Sequence, residues 1–415
     1  MLRRILALPM KELVNYAAVF GLVAVSGMPF FFKSALNSVF LCMFVLFVFL
    51  KRSIPFNPKH LAIVAVFFFV EVLQDIFIYD IAIATFIGSY TRFFLAILTV
   101  TICDRKFTRY YVNIIYVLTL IGFVFYVPSV LSNNVRGFFE SSICPFFPPL
   151  GLGTEDNPFY DHQPTVMIYT FHPVLKEFRN SGPFWEPGAY GVFLLFAIIF
   201  NVIRTGTLIN KKNIVFAIAV ITTISTTGYA ALFVIVTSFY LVKGTISNRL
   251  FMVSMLVPVS ILMFVSFDFL GQKVEKNMEL KDDPSSRFGS AYADVQDWAT
   301  SPFIGWGKGE MRFGGREFTF FSDDQHRNNG LSDLLATYGI FAFITLLVNY
   351  FRTLKTMCLS HSFPQGFAPL AFAVILLLGF SQSLFQYPFF LSIMFMHIIY
   401  KDRLGRLGMT PVEVE

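Results

Sequence analysis

Apolar runs long enough to cross a bilayer recur along almost the whole chain, and they limit its fold more than any motif does. Read with a window of about 19 residues, they lie near 14–32, 34–50, 60–79, 81–102, 110–131, 183–203, 211–225, 227–242, 250–267, 330–350, 366–381 and 383–400. The pattern predicts an all-α polytopic membrane protein with about 12 transmembrane helices. Composition points the same way: 55% of residues are hydrophobic and 14% charged, whereas soluble domains carry about 25% charged residues. The 54 Phe read as bilayer contacts and packing rather than as a cofactor box.

The distribution of positive charge orients these spans. With the N-terminus inside, the alternate loops hold Arg3/Arg4/Lys11, Lys51/Arg52/Lys59, Arg105/Lys106/Arg109, Arg204/Lys211/Lys212, Lys243/Arg249, Arg352/Lys355 and Lys401/Arg403/Arg406. The short loops assigned outside, around Lys33, Asp80, Thr226 and Ser381, carry almost no positive charge. Both termini are therefore expected in the cytoplasm. The start, MLRRILALPMKELVNY, has no small-residue cleavage site and reads as a cytoplasmic anchor. The net charge of +6 follows from this topology and does not imply a nucleic-acid partner. Cys42, Cys103, Cys144 and Cys358 are scattered without metal-like spacing, and no disulfide or zinc is expected.

Two long loops then fall on the outer face. The expected organisation is five transmembrane helices over 1–131, a first loop over 132–182, helices six to nine over 183–266, a second loop over 267–329, and helices ten to twelve with a cytoplasmic tail over 330–415. The first loop is rich in Pro, Gly and aromatics and is expected to be irregular and packed onto the membrane. The second holds one amphipathic helix. Ser285 or Ser286 can cap it, and Phe288, Ala291, Tyr292, Val295, Trp298 and Ala299 make an apolar stripe that rests on the bundle or in the interface. The following SPFIGWGKG reads as a turn and glycine-rich loop.

Several side chains can carry chemistry. Glu186 stands where a span begins, just before Pro187, so the helix dipole keeps it ionised. It can orient a hydroxyl or accept a proton, or simply cap the helix. Arg179 can reach a phosphate, or snorkel at the interface. His326 closes the second loop, where a neutral imidazole takes a proton near neutral pH. Asp324 or Asp323 can fix its tautomer. Arg287, at a helix N-terminus, is suited to an anion; its plain alternative is an ion pair with Asp282 or Asp283. Arg92 lies within a span and is expected to pair with Glu71 or Asp75, the sharper alternative being a lipid-linked phosphate. Lys308 and Arg327 add cations to the second loop.

In order, FRNSGPFWEPGAYGVFLLF, RFGSAYADVQDWATSPFIGWGKG and QHRNNGLSDLLATYGIFAFI resemble stretches of the bacterial O-antigen polymerase and O-antigen ligase superfamily, over roughly residues 90–400. The resemblance implies a glycosyltransferase-C-like membrane enzyme of the inner membrane, multi-pass, with its active site facing the periplasm. It implies a donor glycan on undecaprenyl pyrophosphate, no cofactor, no nucleotide sugar and no metal. The partners it implies are that lipid-linked oligosaccharide, membrane lipids and a chain-length regulator protein. By position, Arg287 and Arg179 would contact the diphosphate, and His326 would activate the acceptor, with Glu186 as the other candidate base. One departure stands out. Many relatives carry an arginine beside serine at the short-span turn, where this chain has STTGY at 225–229, so that anion contact is missing or supplied by Lys308 or Arg92. The glutamate of FWEPGA and the missing Ser-Arg favour a polymerase over a ligase. The rivals are a flippase for lipid-linked oligosaccharide, which predicts two similar halves that this sequence lacks, and a peptidoglycan-type polymerase, whose typical motifs are absent.

Overall fold

In the computed structural model, residues 9–32, 35–147, 164–172, 177–250, 254, 287–308 and 329–406 are described, with side chains withheld at 32, 35 and 402–406. The expected span at 250–267, most of the second loop and the expected caps Ser285 and Ser286 lie outside them. So do His326, Arg327, Asp324, Asp323, Asp282 and Asp283.

Among the described residues, the α-helices of six residues or more are α1 Met10–Ala24, α2 Ala35–Lys51, α3 Lys59–Phe77, α4 Ile83–Cys103, α5 Phe107–Leu131, α6 Asn133–Phe138, α7 Pro187–Thr205, α8 Lys211–Thr222, α9 Thr226–Lys243, α10 Arg287–Thr300, α11 Gly330–Ser360, α12 Phe367–Ser381 and α13 Pro388–Arg406. A two-stranded antiparallel ladder, β1 Thr165–Val166 and β2 Tyr169–Thr170, lies between α6 and α7. Local sequence sets many boundaries. Asn210 and Asn329 cap α8 and α11, each accepting two backbone N–H bonds. Pro187 opens α7, and Gly206 closes it in the left-handed region at φ 70°.

Among the described residues, five helical runs are long and apolar enough to cross a membrane: Lys59–Phe77, Ile83–Leu131, Pro187–Thr205, Thr226–Lys243 and Gly330–Ser360. The second contains two of the expected spans, parted only by a turn at Asp104–Lys106. Leu36–Lys51, Phe367–Ser381 and Pro388–Lys401 are shorter apolar helices. Where spans are expected at 14–32 and 211–225, the helices have 15 and 12 residues. At 1.5 Å per residue, the latter reaches about 18 Å, short of a hydrocarbon core of roughly 30 Å.

The chain divides into two compact units. The first comprises Met1–Phe56, Gly88–Leu232 and Tyr387–Glu415; the second comprises Asn57–Ile87 and Phe233–Gln386. In the first, α7 is the core. Its apolar window is 83% buried, against 28–44% for the other candidate spans, as befits a helix that is hydrophobic all round. Phe184 stacks on Phe193 at 3.9 Å and Tyr111 on Phe389 at 4.3 Å. The Tyr111 hydroxyl donates to the Phe193 carbonyl at 2.7 Å.

In the stretch expected as the first outer loop, the described residues form short helices and a two-stranded ladder where irregular structure was expected. Val166, Tyr169, Phe171 and Phe178 are buried together with Cys144 against Phe125 and Tyr126 of α5. Tyr169 stacks on Phe125 at 5.4 Å, and Phe178 on Tyr126 at 5.8 Å. The loop's aromatics thus build a satellite core of their own.

In the second unit, α11 is broken at Gly339 (φ 69°, ψ −176°). The helix α10 packs against its first half. Gly289, Ser290, Ala293, Asp294 and Asp297 are buried, while Phe288, Tyr292 and Val295 are exposed, so of the two places expected for the apolar stripe, the bundle is not the one these residues take. Small residues allow close approach, and Ser332 on α11 donates to Asp294 Oδ2 at 2.7 Å. A polar match between helices has outweighed the apolar stripe.

Candidate functional site

In the second unit, the segment after α10 inserts into the break of α11. At the break, the Ala336 carbonyl loses the N–H of Ile340, which donates instead to the Pro302 carbonyl at 2.9 Å. Trp306 N–H takes the Ala336 carbonyl at 2.8 Å, and Gly307 N–H takes that of Thr337 at 2.9 Å. Irregular backbone within apolar surroundings persists only where such groups find partners. From α3, the Gln74 amide donates to the carbonyls of Ile304 (2.5 Å) and Thr337 (2.7 Å), tying loop and break together. Trp298 Nε1–H donates to Pro302 O, and Trp306 Nε1–H to Asp297 O, both at 2.9 Å.

The glycines of SPFIGWGKG now have a physical reason. Gly305 (φ 67°) and Gly339 face each other's segments so closely that a Cβ would sit 2.6 Å from the Ala336 carbonyl oxygen and 2.3 Å from the Phe303 oxygen, respectively. Both also lie in the left-handed region that glycine tolerates.

This docking places Lys308. Its N–H donates to the Tyr79 hydroxyl at 3.1 Å. Its ammonium lies 3.8 Å from Glu71 Oε1 and 5.3 Å from the centre of the Tyr338 ring. Glu71 is 5% exposed, and its Oε2 has no hydrogen-bond partner among the described residues. The cluster is a cation held at a helix break beside a carboxylate oxygen able to accept one more bond. In this unit Glu71 pairs with Lys308 and the Asp75 carboxylate accepts Ile81 N–H at 2.7 Å; Arg92, expected to pair with one of these acids, belongs to the first unit. Arg92, half-buried on α4, makes no hydrogen bond or ion pair among the described residues. Arg287 is the first residue of α10, in the first turn where the sequence places it, and is half-buried.

In the first unit, Arg179 and Glu186 bracket the entry to α7. Arg179 Nε–H donates to the Thr223 carbonyl at 2.9 Å. Next to it, Asn180 N–H and its side-chain amide take the Thr222 carbonyl (3.1 Å) and hydroxyl (2.9 Å). The segment before the span is thereby fastened to the turn between α8 and α9. That turn is where STTGY lacks an arginine, so Arg179 brings a guanidinium to it from elsewhere in the chain. Glu186 occupies the N-cap position of α7 without a side-chain capping bond. Its carboxylate makes no hydrogen bond or ion pair among the described residues, which leaves it open to an outside donor.

Glu71, Gln74 and Tyr79 were not assigned together from sequence. Their signal was legible in FFFVEVLQDIFIY, where polar residues at 71, 74 and 75 interrupt an apolar run on one helix face.

Fold and composition define a helical membrane protein carrying buried charge at a broken helix. No family model and no curated protein matches the chain.

Proposed function

We propose that the protein is a surface-polysaccharide polymerase of the bacterial inner membrane, with about twelve spans and a glycosyltransferase-C-like arrangement facing the periplasm. It transfers a glycan from undecaprenyl pyrophosphate to a sugar hydroxyl of another lipid-linked repeat unit. The observation that carries this reading is the built loop Pro302–Lys308. The residues on which the resemblance rests, Trp298 through Lys308, hold one cation at a helix break with a defined set of bonds.

The acceptor oxygen attacks the anomeric carbon as the bond to the diphosphate oxygen breaks, and the electron pair leaves with the diphosphate. The carbon is inverted. Arg179, Arg287 and Lys308 stabilise the departing charge, and His326 or Glu186 receives the acceptor proton. Arg92, Arg327 and Asp324 complete the set of binding residues.

Deleting the gene tests this reading. Single repeat units on lipid A core are the expected product; long chains accumulating on the lipid carrier would make the protein an O-antigen ligase instead. Arg287→Ala separates enzyme from flippase. The expected result is loss of polymer while repeat units still reach the outer leaflet, and their retention inside would point to transport.

A further inference from the structure

At one end of the first unit three cations converge, and the one carboxylate in range of them among the described residues, Glu12, reaches only Arg109 and is bonded to Lys106. Arg109 and Asn113 lie one turn apart on α5, and Tyr116 follows at the next turn of the same face. Lys212 of α8 meets this face, with its Nζ bonded to Asn113 Oδ1 and lying 5.9 Å from the centre of the Tyr116 ring. Arg204, in the last turn of α7, donates from Nη2 to Asn201 Oδ1 at 2.9 Å. The Asn201 amide donates in turn to Asn213 Oδ1 (2.8 Å) and Asn210 Oδ1 (3.0 Å) of the α8 start. Three elements are thus fastened by neutral amides, and each brings one positive charge.

The groups in electrostatic range of Arg204 are Arg109, Lys212, Tyr16 and Tyr400; those in range of Lys212 are Arg204 and Arg109. Among the described residues, no carboxylate reaches either. The neighbouring acid, Asp104, lies 3.7 Å from Arg105. Arg204 Nε–H is buried with no hydrogen-bond partner among the described residues, and a buried donor left unmade is costly. Like charges held together by amides, with a dry unused guanidinium donor among them, are an arrangement completed by an anion.

We propose that the ends of α5, α7 and α8 form a binding site for a phosphate-bearing anion, with Arg204, Lys212 and Arg109 as its ligands. Phosphate suits it because three helices each supply a cationic donor to one multiply charged oxyanion. The phosphate comes from a lipid headgroup or from a soluble phosphate compound. The inference does not depend on glycan transfer, since its test reads binding.

Full-length protein in neutral detergent is titrated with inorganic phosphate at constant ionic strength set by chloride, and separately with phosphatidylglycerol or phosphatidylcholine in mixed micelles. Thermal midpoint and native mass spectrometry are the readouts. A saturable rise in midpoint is expected, at least tenfold weaker in affinity for Arg204→Gln/Lys212→Gln. Saturation by phosphatidylglycerol that phosphate does not displace assigns a headgroup, and saturation by phosphate alone assigns a soluble ligand. Should the double variant not fold, Lys212→Gln and Arg109→Gln serve singly, each with an affinity loss expected. The proposal is overturned if neither probe saturates, or if variants that fold bind as the wild type does.

Discussion

The ammonium of Lys308 lies 3.8 Å from Glu71 Oε1, joining a residue of the segment after α10 to one within an apolar helix more than two hundred positions earlier. Both groups are largely withdrawn from water, with side-chain exposures of 26% and 6%. Removing one partner leaves the other charge without compensation. Glu71→Gln is therefore expected to lower stability by about 1–3 kcal/mol. Glu71→Gln/Lys308→Met should recover part of that loss, as read by a double-variant cycle of thermal midpoints. Strictly additive losses would show that the pair contributes nothing as a pair.

Gly339→Ala and Gly305→Ala each force a Cβ against a backbone carbonyl at a positive φ. Each should cost about 1–3 kcal/mol and release the loop, seen as faster amide exchange at Trp306 and Gly307. Gly88→Ala and Gly137→Ala, whose added Cβ meets nothing within 4 Å, are the controls and should be close to neutral.

Arg179 makes its turn contact through Nε, which lysine lacks. If it stabilises the leaving diphosphate, Arg179→Ala should reduce polymer synthesis by roughly 10²–10³-fold. Arg179→Lys should keep charge but restore only a fraction of the rate. Equal activity of the lysine variant and the wild type would confine Arg179 to a charge effect alone.

The exposed stripe of α10 should face lipid. Phe303, beyond its end, stacks on the exposed Phe341 of α11 at 5.8 Å, so the stripe continues the apolar surface of a candidate membrane-crossing helix. Spin labels at 292 and 295, and one at the exposed Ile344, should collide with oxygen more than with a water-soluble nickel complex. A label at the exposed Ile209, in a short loop, should show the reverse.

Glu12 and Lys106 give a pH dependence. Their 2.6 Å hydrogen bond holds the Glu12 carboxyl below its usual range and the Lys106 ammonium above its own. The lowered carboxyl contributes stability above the ordinary glutamate value of about 4.3, which is lost as pH falls through the shifted value. The raised ammonium contributes below about 10.4, lost as pH climbs through its shifted value. Lys106 is 54% exposed, so the effect is small and screened by salt. The midpoint difference between wild type and Glu12→Gln should shrink below about pH 4 and in high salt.

Individual residues show where sequence reasoning reached and where it stopped. The helix at 287–300 was visible from its 3.6-residue period, yet the face it packs was not. Periodicity reports which side chains share a face, but Asp294 is buried because Ser332, thirty-eight residues on, offers a hydrogen bond. Glu71 pairs with Lys308, which reaches it through a loop that no spacing rule could position. The glycines at 305 and 307 were visible as a pattern without a purpose until the break at Gly339 supplied one.

The amino-acid order by itself determined a helical membrane protein, because long apolar runs between basic loops have no other stable solvent. It also determined many helix ends, since prolines, asparagines and Gly206 act within a turn of where they stand. Tertiary structure alone decided which charges pair, which face of α10 is buried and how the broken span is repaired. Those outcomes depend on bonds between residues far apart in sequence, and their strength comes from a dry interior that exists only once the chain has folded.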